Sequence, residues 1–90
     1  MTQVHLSQKA EKQLKKIPKV IIERLFDWIE TLQTIGLLDA RKLKGYHDEP
    51  LKGDRHGQRS IRLNKQWRAI YQELNGYIEI EVLEVTPHDY

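Results

Sequence analysis

Ile21, Leu25, Trp28, Leu32 and Ile35 follow one another at intervals of four and three. That spacing draws a continuous apolar stripe down one side of a helix. Ile22, Phe26 and Ile29 widen the stripe, and Gly36 supplies the stop. A shorter helix precedes it. Ser7 is a good N-cap, because its hydroxyl can accept from an amide two or three residues on, and Ala10, Leu14 and Ile17 keep helical spacing behind it. Pro18 ends that helix and can sit in the first turn of the next. The two form a helical hairpin whose apolar side needs a sheet to cover.

Period-two patterns supply the sheet. Residues 3–6 alternate weakly, with Val4 and Leu6 on one side, and suit an edge strand. Residues 37–49 read as irregular, with a helical turn over 38–43 and a loop at Gly45 and His47-Asp48-Glu49-Pro50. Residues 58–63 read as a strand with Ile61 and Leu63 on one face and Ser60 and Arg62 on the other. Asn64-Lys65-Gln66 turns the chain into a strand over 67–74. There Trp67, Ala69 and Tyr71 share one face, and Arg68, Ile70, Gln72 and Leu74 the other. Asn75-Gly76 marks a two-residue hairpin turn with positive φ at both positions. In the last strand, 77–85, the apolar phase runs Ile78, Ile80, Val82 and then slips to Leu83 and Val85, which points to a bulge or to burial on both faces. The expected architecture is a single α+β domain over residues 1–90, ordered β-α-α-β-β-β. A helical hairpin covers an antiparallel meander, with the first strand at its edge.

Charge changes the picture more than composition does. Ninety residues make one small domain with a narrow stability margin, and the absence of cysteine excludes disulfides and thiolate chemistry. The start of the chain does not read as a signal peptide, and no apolar run reaches membrane-spanning length, so a soluble cytoplasmic protein is expected. The net charge of +2 hides a strong asymmetry. Residues 41–68 hold nine Lys/Arg against three acids, a net +6, whereas residues 69–90 hold five acids and no Lys or Arg. A basic region beside a sheet is the usual electrostatic footprint of a phosphate-binding surface, although a solvated charged loop has the same composition.

His5, His47, His56 and His88 have neither i, i+4 helical pairing nor a neighbouring cysteine, so no metal site is expected. Phosphate-loop, Gly-x-Ser-x-Gly and dinucleotide motifs are absent, and no cofactor is expected. Cations, a histidine and a tyrosine remain. That set suits RNA cleavage by the substrate's own 2′-hydroxyl. Such cleavage needs a base for the hydroxyl proton, cations around the phosphorane and an acid for the departing 5′-oxygen. Arg68, Lys52, Arg55, Arg62, His88 and Tyr90 are the candidates, and each can also be an ordinary surface group. Arg55 can pair with Asp54, and Arg68 can stack on an aromatic.

Pro50-Leu51-Lys52-Gly53-Asp54-Arg55-x-Gly57, followed by Ser60-Ile61-Arg62-Leu63-Asn64-x-Gln66-Trp67-Arg68, resembles the RelE/ParE toxin superfamily, and within it the HigB-type host-inhibition toxins. The order of elements agrees over almost the whole chain. The resemblance implies a bacterial type II toxin, an endonuclease that enters the ribosomal A site and cuts mRNA during translation. It also implies a cognate antitoxin, usually a helix-turn-helix protein, through which operator DNA would be bound. Carried onto this chain, it assigns catalysis to Lys52, Arg68, His88 and Tyr90, with Arg55, Arg59, Arg62, Asn64 and Lys65 binding RNA. Many HigB-type chains end Asp-Tyr-His, whereas this one ends His88-Asp89-Tyr90, and a second HigB-type arginine falls near Asn64, where Arg62 can replace it. The acidic Glu79, Glu81 and Glu84 are expected away from RNA or against a basic antitoxin. The same fold also accommodates a ParE-like gyrase inhibitor without nuclease chemistry, or an inactive binding relative.

Overall fold

A computed structural model describes residues 2–76 and 79–87. The elements follow in the order β1 (Gln3–Leu6), α1 (Gln8–Leu14), α2 (Lys19–Ile35), α3 (Leu37–Ala40), β2 (Glu49–Pro50), β3 (Gln58–Arg62), β4 (Trp67–Asn75) and β5 (Glu79–Pro87). Short 3-10 turns occupy Lys44–Tyr46 and Gly53–Arg55. Among the described residues no helix is long and apolar enough to cross a membrane.

The five strands form one sheet in the order β1-β5-β4-β3-β2. The meander β3-β4-β5 is antiparallel, as the sequence pattern predicts, and β1 lies at the edge. Two features go beyond that pattern. β1 runs parallel to β5, with Val4 beside Ile80 and Leu6 beside Val82, so the sheet is mixed. Glu49 and Pro50 form a fifth strand, pairing with Ser60 and Arg59. A proline fits there because an edge strand need not donate on both sides.

The helices take one face of the sheet. Ile21, Leu25, Trp28 and Leu32 of α2 are buried, and they share a core with Ala10, Ile61, Ala69, Tyr71, Ile80, Val82 and Val85. Trp28 and Tyr71 meet with ring centroids 5.1 Å apart at a 50° tilt, a geometry that suits the aromatic quadrupoles. Pro18 stands at the N-cap of α2, and Gly36 ends it at φ +86°. The stripe is narrower than its sequence suggests, since Phe26 and Ile35 are exposed. Asn75 remains in β4, paired with Glu79, and only Gly76 of the expected turn pair takes positive φ.

The slip in β5 is a register shift. Ile70 pairs with Glu84 but Tyr71 pairs with Val82, leaving Leu83 as the extra residue. The shift lets both Val82 and Val85 face the helices, and it turns Glu84 to the open side. α1 supplies partners for the edge of β5 beyond the end of β1. The Ser7 amide donates to the Val82 carbonyl (2.9 Å) and the Ser7 hydroxyl donates to the Leu83 carbonyl (2.7 Å). The same oxygen caps α1 by accepting from the Ala10 amide (3.0 Å), and the Val85 amide donates to Gln13 Oε1 (2.7 Å). One serine thus closes a helix start and a strand edge together. Ser7→Ala is expected to destabilise the fold by about 1–2 kcal/mol, from a lost cap and an unpaired carbonyl. Urea denaturation of the two proteins measures this, and equal midpoints would refute the dual role.

Candidate phosphate-binding face

The open face of the sheet is built from residues that the core leaves out. In register across β3, β4 and β5 stand Ser60, Ile70 and Glu84, and beside them Arg62, Arg68 and Thr86. The first row is buried although the helices lie on the other side: Ser60 is 5% exposed, Ile70 0% and Glu84 9%. The loop over residues 51–57 reaches across this row, since Arg55 extends from it to Glu84 (2.9 Å) and to Gln58 Oε1 (3.0 Å). Lys9 of α1 meets the same Glu84 oxygen at 3.0 Å.

The second row stays open. Arg62 and Arg68 are direct cross-strand partners. Like charges so placed repel each other, so the pair destabilises the sheet unless an anion lies between them. The buried Nε of Arg68 has no hydrogen-bond partner among the described residues. A buried donor left unpaired costs about 1–3 kcal/mol, a cost that a phosphate oxygen would remove. Both arginines line a small recess together with His47, Glu49, Ser60 and Ile61. Two arginines, a histidine and a glutamate therefore line one end of the open face.

The residues singled out from sequence are distributed unevenly. Arg62 and Arg68 come together. Lys52 is an exposed residue that opens the Gly53–Arg55 turn. Arg55 pairs with Glu84 rather than with Asp54. Asn64 holds the β3–β4 turn, where its Oδ1 accepts from the Gln66 and Trp67 amides, each at 2.8 Å. Lys65 is exposed on that same turn. Arg59 is not brought into the cluster: β-strand alternation sends it to the helix side, where its Nε donates to Asp48 (2.6 Å). His88 and Tyr90 lie outside the described residues.

Three residues of this face were not singled out from sequence. His47 and Glu49 sat in a stretch that reads only as loop, and their convergence with Arg62 depends on β2 pairing with β3. Glu84 was expected away from RNA or against a basic antitoxin; the shift at Leu83 turns it onto the open face, where Arg55 and Lys9 reach it. That slip was the one signal in the sequence that could have found it.

Burial pushes the Glu84 carboxyl up, but the hydrogen bonds and charges of Arg55 and Lys9 together outweigh this and hold it below the ordinary glutamate value of 4.5. A carboxyl lowered on folding adds stability above its unfolded pKa and loses it as pH falls through the folded value. The stability advantage of the wild type over Glu84→Gln is therefore expected to be full at neutral pH and to shrink on acidification below the ordinary carboxylate range. Paired denaturation curves from neutral pH downward check the sign, and a constant difference would refute it.

No family model matches the chain. By sequence it is 32% identical over 60 residues to "Endoribonuclease HigB" of Proteus vulgaris. The match spans 67% of this chain and 65% of that protein, just under two thirds of its length. Solved structures match over nearly the whole fold. The YoeB/ParE toxin from Agrobacterium tumefaciens superposes with a TM-score of 0.74 at 20% identity, covering 99% of this chain and 100% of that one. YafQ from Escherichia coli BL21(DE3) gives 0.74 at 20% identity over 98% and 94% of the two chains. The RelBE2 toxin-antitoxin complex from Mycobacterium tuberculosis gives 0.69 at 21% identity over 97% and 98%. The chain thus has the fold of the RelE, YoeB and YafQ toxins, and over two thirds of its length its sequence is similar to HigB.

Proposed function

We propose that this chain is the toxin of a type II toxin–antitoxin pair, an endoribonuclease that cuts mRNA on the ribosome and so stops translation. The observation that carries the reading is the Arg62–Arg68 pair beside the recess that His47 and Glu49 also line. The HigB relative is named an endoribonuclease, which supports the same reaction class. An antitoxin partner is supported by neighbours solved as the RelBE2 and YoeB-YefM complexes, and by the exposed apolar Val20, Phe26, Ile35 and Leu38 on the helices. A protein acting on translating ribosomes works in the cytoplasm.

The reaction asks little covalent chemistry of the protein. The ribose 2′-oxygen forms a bond to phosphorus, and the bond from phosphorus to the 5′-oxygen breaks. The 2′-hydroxyl proton passes to a base, and an acid supplies a proton to the departing 5′-oxygen. The products are a 2′,3′-cyclic phosphate and a free 5′-hydroxyl. Negative charge grows on the equatorial oxygens in between, and there Arg68 and Arg62 act, since fixed cations stabilise that charge without reorganising. Glu49 and His47 are the proton carriers of suitable chemistry in the recess. His88 and Tyr90 remain candidates for the same duties on the strength of the family resemblance. Lys52 and Lys65, exposed beside the recess strands, hold flanking phosphates, and binding is correspondingly steep in salt.

Arg68→Ala is expected to slow cleavage by roughly two orders of magnitude, the scale of one lost transition-state donor. New mRNA 5′ ends are mapped in a translating extract and on the same mRNA without ribosomes. Cuts that need ribosomes and fade in the folded variant support the reading. Cuts on free mRNA would make it a general ribonuclease. Growth arrest with DNA breaks and intact mRNA would move the target to gyrase.

A further inference from the structure

Asp48 sits between the two proton-carrying candidates, yet it faces the opposite way. Its side chain is 2% exposed and holds Arg59 Nε at 2.6 Å through Oδ1. Its Oδ2 accepts a short hydrogen bond from the Tyr71 hydroxyl. Arg41 of the α3 C-terminus donates to the same hydroxyl at 3.4 Å and pairs with Glu73. Burial raises the Tyr71 hydroxyl well above its ordinary value, and the bond to Asp48 raises it further, so it stays a donor.

These contacts have a directional consequence. Successive side chains of extended backbone point to opposite sides. With Asp48 drawn to the helix side, Glu49, in extended backbone paired with Ser60, is directed to the open side; His47, on the other flank of Asp48, departs from that alternation, and both residues line the recess with Arg62 and Arg68. His47 takes a left-handed backbone conformation (φ +49°, ψ +48°), which a histidine adopts only at a cost. The surrounding contacts must hold it: its own amide donates to the Lys44 carbonyl (3.2 Å), and the next residue, Asp48, is tied to Arg59 and Tyr71. Glu49 is fixed further by pairing with Ser60. The anchor itself is rigid, because Tyr71 is fully buried and stacked against Trp28 in the core.

From this geometry we infer that Asp48 is a positioning residue: held through the sheet by Arg59 and Tyr71, it sets His47 and Glu49 at the phosphate recess. Arg59, which the RNA face does not use, thereby has a task on the other side. The inference rests on the proposed nuclease reading for its kinetic consequence, but not for its structural one.

Two variants test it. Asp48→Asn keeps the shape and an acceptor but removes the charge, and Tyr71→Phe removes the hydroxyl while keeping the ring on Trp28. Thermal melting first establishes that both are folded. The imidazole signals are then read by two-dimensional NMR at fixed pH, with His47 assigned through His47→Gln. The His47 signal is expected to move in both variants, and that of His5, paired with Glu79 at the far edge of the sheet, to stay. An unmoved His47 signal in both folded variants overturns the inference.

Cleavage supplies the second readout. At saturating ribosomes Asp48→Asn is expected to cut about tenfold to a hundredfold more slowly, the scale of a misplaced reacting group. Its half-saturating ribosome concentration is expected to remain within about twofold. Combined with Glu49→Gln, it should cost little beyond Glu49→Gln alone, because it acts through that residue. Losses that multiply instead overturn the positioning role. A wild type that cuts nothing refutes the nuclease reading alone, and the His47 signal still decides whether the anchor exists.

Discussion

The helix layer can cover only one face of the sheet, and most of the molecule follows from that. Ile61, Ala69, Tyr71, Val82 and Val85 must point at Ile21, Leu25, Trp28 and Leu32 for the core to close. Burying such side chains is the main favourable term for so small a domain. Strand alternation then leaves no choice for their neighbours. Arg62 and Arg68 are forced to the open side, in register with each other, whatever their mutual repulsion. The apolar core thereby bears the cost of an electrostatically poor arrangement that a phosphate can use.

The same constraint sorts the basic residues. Arg41, Arg55 and Arg59 each reach a carboxylate of their own, on Glu73, Glu84 and Asp48. Arg62 and Arg68 have no ion pair among the described residues. The arginines of the segment that reads as one block of positive charge are therefore two populations. One braces loops against the sheet, and the other faces the recess. The acidic strand β5 takes part in this sorting, because the shift at Leu83 brings Glu84 to the open side, where Arg55 and Lys9 reach it.

Loop placement is the remaining ingredient. The segment carrying His47, Asp48 and Glu49 is tied on both sides of the sheet, by β2 pairing on its own edge and by Asp48 through Arg59 and Tyr71. Side chains held in this way keep little conformational freedom, so a loop of a small domain can present a defined surface.

Much of this was legible in the chain itself. The stripe from Ile21 to Leu32, the cap at Ser7, the breaks at Pro18 and Gly36 and the alternation through Ile61 and Tyr71 are local signals, because helix and strand periods are set by backbone geometry. They determined the helical hairpin, the meander and the outward direction of Arg62 and Arg68, and the slip at Leu83 announced the bulge. Partnerships across the sheet had no such signal. That β1 runs parallel to β5, that Glu49 and Pro50 pair with β3, that Arg59 meets Asp48 and that Arg55 meets Glu84 depend on residues 9 to 76 positions apart. Such contacts are chosen by the packing of the whole core and by the need to neutralise buried charge, and only the tertiary structure decides them.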